Sequence, residues 1–317
     1  MQMSKAKGMQ GQKALSLRGR QLALLPDSVR KQIALEELDL DQNRLTWLPE
    51  WIGELTKLRS LSLYSNQLTS LPESVWQLTD LQTLNLAENH FSSLSEHIGD
   101  LINLHMLDLG HNKIEFLPGS IGNLRNLTFL YLSNNRLVSL PDSFENLTNL
   151  IYLNITDNQL ATLPESIGSL TGLIELRLYH NLLTALPEAL GRLTKLKELH
   201  LMNNKLVSLP VTIGNLINLR KLVLQDNRLA ALPESLGDLA SLTDLDLRNN
   251  ALTSLPESLG NLSDLRYLDL RANKLVQLPA SFEGLANLEK LDLRWNKLAA
   301  IPRWFEQFER RGCTIFV

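Results

Sequence analysis

A solenoid of short parallel strands, in the α/β class, is the fold the sequence predicts, and three observations predict it. An asparagine recurs every 23 residues, at Asn43, Asn66, Asn89, Asn112, Asn135, Asn158, Asn181, Asn204, Asn227, Asn250, Asn273 and Asn296. Leucine, once replaced by Ile155, stands eight, five and three residues before each of them, and an apolar residue stands two and five after. The prolines keep the same phase: eleven of the twelve lie six residues after an asparagine, from Pro49 to Pro302, with Ser95 the exception. Pro26 belongs to a degenerate first unit in which Arg20 replaces the asparagine. A fixed period of this length is the signature of a repeat array, so the 317 residues need not be divided into several domains.

Each element of the unit has a physical reason. Leu-x-Leu alternates with period two and predicts a short strand whose leucines point inward. One unit cannot bury that face alone, and stacked neighbours close a continuous core. At about 4.8 Å per strand, some thirteen strands form a sheet roughly 60 Å long. The asparagine amide, with two donors and an acceptor, is placed to satisfy backbone groups of its own and the adjacent unit in a buried ladder. Proline ends the bend because its φ is fixed and it has no N–H. Apolar residues at spacing three follow, such as Ile167, Leu170 and Leu173, which suits a 3₁₀ turn. Glycine follows in eight of the twelve units, as at Gly168 and Gly260, and permits a tight backbone. An acid, such as Glu165 or Glu188, opens the turn in eight units, where a helix N-terminus favours negative charge.

The ends of an open array need covers. Lys13–Leu22 is expected to be the first, irregular strand. After Ile301 the register is lost, and Trp304, Phe305 and Phe308 predict a helical cap over about 302–317. Cys313–Val317 reads as the last edge strand, with Cys313 a buried cap residue.

The pattern LxxLxLxxNxLxxLP, in twelve copies, resembles the leucine-rich-repeat superfamily. The segment Pro256–Leu265 is similar to the tail of the 23-residue intracellular type, seen in Ras-suppressor and Scribble-like proteins and in many bacterial repeat proteins. The likeness covers about residues 13–317. It implies a horseshoe with a concave parallel sheet and short 3₁₀ or helical turns on the convex side. It also implies one repeat domain over 13–317, after a flexible tail of residues 1–12. Extracellular members tend to carry disulfide-bonded end caps; Cys313, the single cysteine, can make no disulfide within this chain.

Composition narrows the function. With 31 basic and 34 acidic residues the net charge is −3, which offers no bulk attraction for nucleic acid or an anionic membrane. No run of 18 apolar residues occurs, and residues 1–12 lack the apolar core of a secretory signal. A cytoplasmic location is expected. The glycosylation tripeptides at Asn126, Asn146, Asn154 and Asn261 then carry no meaning.

Specificity must lie in the outward-facing strand positions, which differ between units. The first full unit contributes Glu37, Asp39 and Asp41. The middle is aromatic and soft: Tyr64, Met106, Phe129, Tyr131, Tyr152, Tyr179, His200 and Met202. The last three units place Asp246, Asp269 and Asp292 beside Arg248, Arg271 and Arg294, which predicts ladders joined by cross-strand salt bridges. Aromatic residues on an exposed strand serve β-propensity alone, but clustered on a polar face they mark a partner site. Lys or Arg after the asparagine in seven units, such as Arg44 and Lys113, reads as a solvated rim.

No catalytic apparatus is expected. His111 and His180 share a column but lie three units apart, about 14 Å, too far to share a metal. An Asp157–His180 contact is foreseen, with no Ser or Cys beside it as a nucleophile. P-loop, dinucleotide and HExxH motifs are absent. The expected function is a non-catalytic scaffold, without metal or cofactor, that acts as a monomer and binds another protein or peptide on the concave face. The alternative is a secreted bacterial effector that presents the same face to a host protein.

Overall fold

The computed structural model describes residues 13–317; the tail expected over residues 1–12 lies outside them. The chain divides into two compact units, which meet in sequence after Leu137. The first carries six parallel strands: β1 (Ala14–Ser16), β2 (Glu37–Asp39), β3 (Ser60–Ser62), β4 (Thr83–Asn85), β5 (Met106–Asp108) and β6 (Phe129–Tyr131). The second carries eight: β7 (Tyr152–Asn154), β8 (Glu175–Arg177), β9 (Glu198–His200), β10 (Lys221–Val223), β11 (Asp244–Asp246), β12 (Tyr267–Asp269), β13 (Lys290–Asp292) and β14 (Thr314–Phe316). Within each unit every strand pairs with the next in sequence, the register advancing by one repeat. The central leucine of each strand from β2 to β13 is buried, and Leu61, Leu153 and Leu176 are completely so. The two flanking residues point away from the core, which creates the face where function is sought.

The asparagine sits below the strand end as anticipated. Asn181 accepts from the Leu160 N–H at 3.0 Å through Oδ1 and donates through Nδ2 to the carbonyls of Ile155 and Leu178 at 2.8 and 3.0 Å. Asn158 is buried and donates to the carbonyls of Ile155 and Thr156. The same buried geometry recurs in the first unit, for example at Asn89. Asn250 and Asn296 keep the bonds but are half-buried.

What periodicity did not reveal is the residue just before each asparagine. All twelve, from Gln42 (φ 54°) to Trp295 (φ 62°), hold left-handed backbone, and none is glycine. The left-handed residue reverses the chain out of the strand and brings the asparagine amide inward. His, Asn and Asp tolerate this conformation better than other side chains, and they fill His111, Asn134, Asp157, His180, Asn203, Asp226 and Asn249. Ala272, at φ 51°, has no such compensation. Ala272→Asn is therefore expected to stabilise the chain by up to about 1 kcal/mol. Chemical denaturation of the variant checks this; a fall in stability contradicts it.

Opposite the sheet, five-residue 3₁₀ turns follow the prolines, as at Glu165–Ser169 and Glu234–Asp238. The glycine expected for a tight bend has a more specific duty. A Cβ on Gly237 would stand 2.3 Å from the carbonyl oxygen of Ser258 in the next turn, so glycine is what lets neighbouring turns touch. The acid at the head of the turn also works between repeats. Glu50, Glu96, Glu165, Glu188, Glu234 and Glu257 each accept from a backbone N–H in the following turn, at 3.0–3.3 Å. Each carboxylate thus caps its neighbour's turn rather than its own. Hydrogen bonds from Ser120, Thr212 and Ser281 hold Glu96, Glu188 and Glu257 below the usual carboxylate range.

Both ends are covered. The expected first strand is shorter than Lys13–Leu22: only Ala14–Ser16 is strand, although the N–H groups of Leu17 and Gly19 still bond to the Asp39 and Asp41 carbonyls. At the other end helix α1 (Phe305–Arg310) buries Phe305 and Phe308, with the Trp304 ring against Phe282 and Phe308. The strand β14 that follows pairs with β13. Cys313 is buried, and burial pushes its thiol pKa up.

Candidate protein-binding face

Six, four and two residues before each asparagine, side chains project from the sheet. In the first unit Met106 lies opposite Phe129, and Asp108 opposite Tyr131. Phe129 is 40% exposed, and Met106 and Tyr131 are half-buried. These three lie together on β5 and β6. Tyr64 stands apart, its hydroxyl donating to Glu88 at 2.8 Å. The acidic patch around β2 is less free than expected. Asp41 is buried, accepting from the Ser62 hydroxyl at 2.5 Å and the Tyr64 N–H at 3.0 Å, with Arg18 3.3 Å away. It is a structural acid.

In the second unit Tyr152 lies under the Arg177 guanidinium, 5.6 Å from the ring centre. Tyr179 meets His180 edge to face at 5.2 Å, and Met202 is half-buried. His200 departs from the expected exposed anchor: it is only 8% exposed, and its Nε2 lies 3.0 Å from Glu198 Oε2. Burial lowers its pKa and outweighs the opposing pull of Glu198. The Asp157–His180 contact is real, at 2.7 Å, and both groups are partly exposed.

The charged ladders at β11–β13 differ in wiring from the expected cross-strand pairs. Each arginine folds back on the aspartate two residues before it: Arg271 on Asp269 and Arg294 on Asp292, both at 2.6 Å, and Arg248 on Asp246 at 3.1 Å. One bridge crosses strands, from Arg271 to Asp292 at 3.4 Å. An i to i+2 pair shares one face of one strand, so no neighbour is needed to form it. Burial raises the pKa of Asp246. Burial also acts to raise that of Asp292, but hydrogen bonds from Arg294 and the charges of both arginines outweigh it and hold the carboxyl low. Alongside lies a groove of about 220 Å³ lined by Lys221, Asp244, Asp246, Tyr267, Asp269 and Lys290.

The aspartates and asparagines of the middle column also have a structural duty that the sequence reading missed. Asp39, Asn85, Asp108, Asn154, Asp246 and Asp269 each accept from the N–H two residues on, at 2.9–3.2 Å. These local bonds close the strand just before the left-handed residue. The signal was present as a recurrent Asp or Asn four residues before the repeat asparagine.

Among the described residues, Glu175, Glu198 and His200 form a group whose ligand atoms all lie within 4.8 Å of one another. Nothing in the spacing of the histidines marks this group; it arises because the register of β8 and β9 sets Glu175 opposite Glu198, two residues before His200.

Comparison with known proteins gives a consistent result. Leucine-rich-repeat family descriptions match residues 33–91, 72–151, 149–170, 217–275 and 241–298. A leucine-rich-repeat protein of Leptospira interrogans is 36% identical over 94% of this chain and 82% of its own, with a TM-score of 0.84. A plant peptide hormone receptor, RGFR1, solved in complex with RGF2, is 33% identical with a TM-score of 0.76; the match covers 96% of this chain and 55% of the receptor. The internalin InlF of Listeria monocytogenes is 25% identical over 96% of this chain and 86% of its own, with a TM-score of 0.80. No curated protein sequence matches the chain.

Proposed function

Because the chain belongs to the leucine-rich-repeat family, we propose that it is a non-catalytic interaction scaffold which binds a protein or peptide on the open face of its sheet. The observation that carries this reading is the outward-facing aromatic and methionine group of β5 and β6, with Phe129 exposed and Met106 and Tyr131 half-buried beside it, set on a face that is otherwise polar. Tyr152, Tyr179 and Met202 offer comparable surface in the second unit. Side chains held on a hydrogen-bonded sheet lose little freedom when a partner arrives, which favours binding without rearrangement. The plant receptor supplies a precedent for ligand binding by this fold. On this reading the chain acts as a monomer in the cytoplasm, in keeping with a single buried cysteine.

The test is a partner captured from the source cell and measured against two double variants. Tyr131→Ser with Tyr152→Ser is expected to weaken binding at least about 10-fold, since aromatic anchors commonly carry 2 kcal/mol or more each. Thr171→Ala with Lys195→Ser, on exposed residues beside the turns, is expected to leave the affinity unchanged. If only the second pair weakens binding, the partner lies on the other side and the proposal fails.

A further inference from the structure

We propose that Glu175, Glu198 and His200 form a binding site for a divalent transition-metal ion such as Zn²⁺ on the open face of the second unit. The register of β8 and β9 sets Glu175 directly opposite Glu198. Two like charges in that relation repel; Arg177 on Glu175 and Lys221 opposite Glu198 offset part of that repulsion, and a cation between the two carboxylates would offset it directly. His200 lies two residues beyond Glu198 and points to the same side, its Nε2 3.0 Å from a Glu198 oxygen.

Ligand atoms around one Zn²⁺ lie about 2.0–2.2 Å from the ion, hence roughly 3–4 Å from one another. The three donors here already fall within 4.8 Å, so small side-chain rotations complete the set. His200 is held in place by burial and brings its nitrogen without a large entropy cost.

Arg177 is the feature that most opposes a cation, since its Nε donates to Glu175 Oε1 at 2.5 Å. That bond engages one oxygen and leaves the other. Hydrogen-bonded outer partners of this kind commonly orient carboxylate ligands, and the guanidinium also rests on the Tyr152 ring. One imidazole with two carboxylates favours Zn²⁺, Co²⁺ or Ni²⁺ over Mg²⁺ and Ca²⁺, which prefer oxygen alone. Three protein ligands leave a coordination position open toward solvent. That position lies on the proposed partner face, yet the site stands whether or not that face binds a protein.

The experiment is a calorimetric titration of ZnCl₂ into the full chain in a non-chelating buffer. One ion per chain is expected, with an accompanying rise in Tm that MgCl₂ does not reproduce. His200→Gln and Glu198→Gln are each expected to weaken binding more than about 100-fold, beyond the loss typical of outer-shell partners. His97→Gln and His180→Gln are the controls, because each of these histidines also lies beside carboxylates; both should keep wild-type affinity. Circular dichroism confirms that each variant folds. Glu175→Gln, an isosteric change on the same site, supplies the reading if His200→Gln does not fold. No stoichiometric binding by the wild type overturns the proposal, as does binding that survives both His200→Gln and Glu198→Gln or that disappears with His97→Gln.

Discussion

Leu176→Ala is expected to destabilise the chain by about 2–5 kcal/mol, the range for removing a fully buried leucine without collapse of the site. Leu176 is the central residue of β8 and is 0% exposed. It lies in register between Leu153 and Leu199. Each backbone in the stack is tied to its neighbours by the sheet ladder, so the walls of the new cavity cannot close around it. The defect also falls at an interior interface. In a repeat array stability is a sum of weak intrinsic terms and strong nearest-neighbour terms, so weakening one interface can divide unfolding into two steps. Urea denaturation followed by circular dichroism reads both effects. A lower midpoint, with either one transition or two, is the expected result; wild-type stability would mean that Leu176 is not in the core. Leu153→Ala should behave alike.

A second large loss is expected for Asn181→Leu, although the substitution is close in size and adds apolar surface. It removes the acceptor for the Leu160 N–H and the donor shared by the carbonyls of Ile155 and Leu178. These groups surround a side chain only 4% exposed, so water cannot replace it. Only the Leu160 N–H is left without a partner, because the carbonyls of Ile155 and Leu178 keep bonds from Asn158 and Asn204; one unsatisfied buried group costs about 1–3 kcal/mol, and a loss in that range is expected. Asn181→Asp separates the two functions of the amide: it keeps an acceptor for Leu160 N–H but loses both donations and buries a charge. It should destabilise the chain increasingly as pH rises above the ordinary aspartate range near 4. Thermal denaturation at two pH values tests this. Equal stability of Asn181→Leu and the wild type would show that the ladder is dispensable.

The residues of the candidate face divide by how their environment is made. Phe129 could be placed on the open side of β6 by counting from Asn135. Exposure at such a position follows from the two-residue period of a strand. His200 occupies an equally outward position by the same count, yet it is buried. Its neighbours decide this: Glu198 and Arg177 lie beside it, and Val223 is its partner on β10. No property of His200 alone carries that information.

The sequence by itself determined the period, the inward leucines, the asparagine ladder, the proline-led turns and the aromatic C-terminal cover. All but the cover depend on one unit and its near-identical neighbours, so 23-residue repetition spells them out; the cover is legible as the aromatic segment Trp304–Phe308 where the register stops. Only the tertiary structure decided the features that join unlike residues of different repeats. Glu165 reaches the backbone of Ala189, Gly237 admits the Ser258 carbonyl, and Glu175 faces Glu198 with His200 beside them. The left-handed residue before each asparagine belongs with them, since Gln42, Ser65 and Trp295 share that backbone but no chemistry. Stacking imposes the conformation on whatever side chain occupies the position. A contact of a few ångströms depends on rotamers and on how closely adjacent turns approach, and neither is encoded in the spacing of residues along the chain.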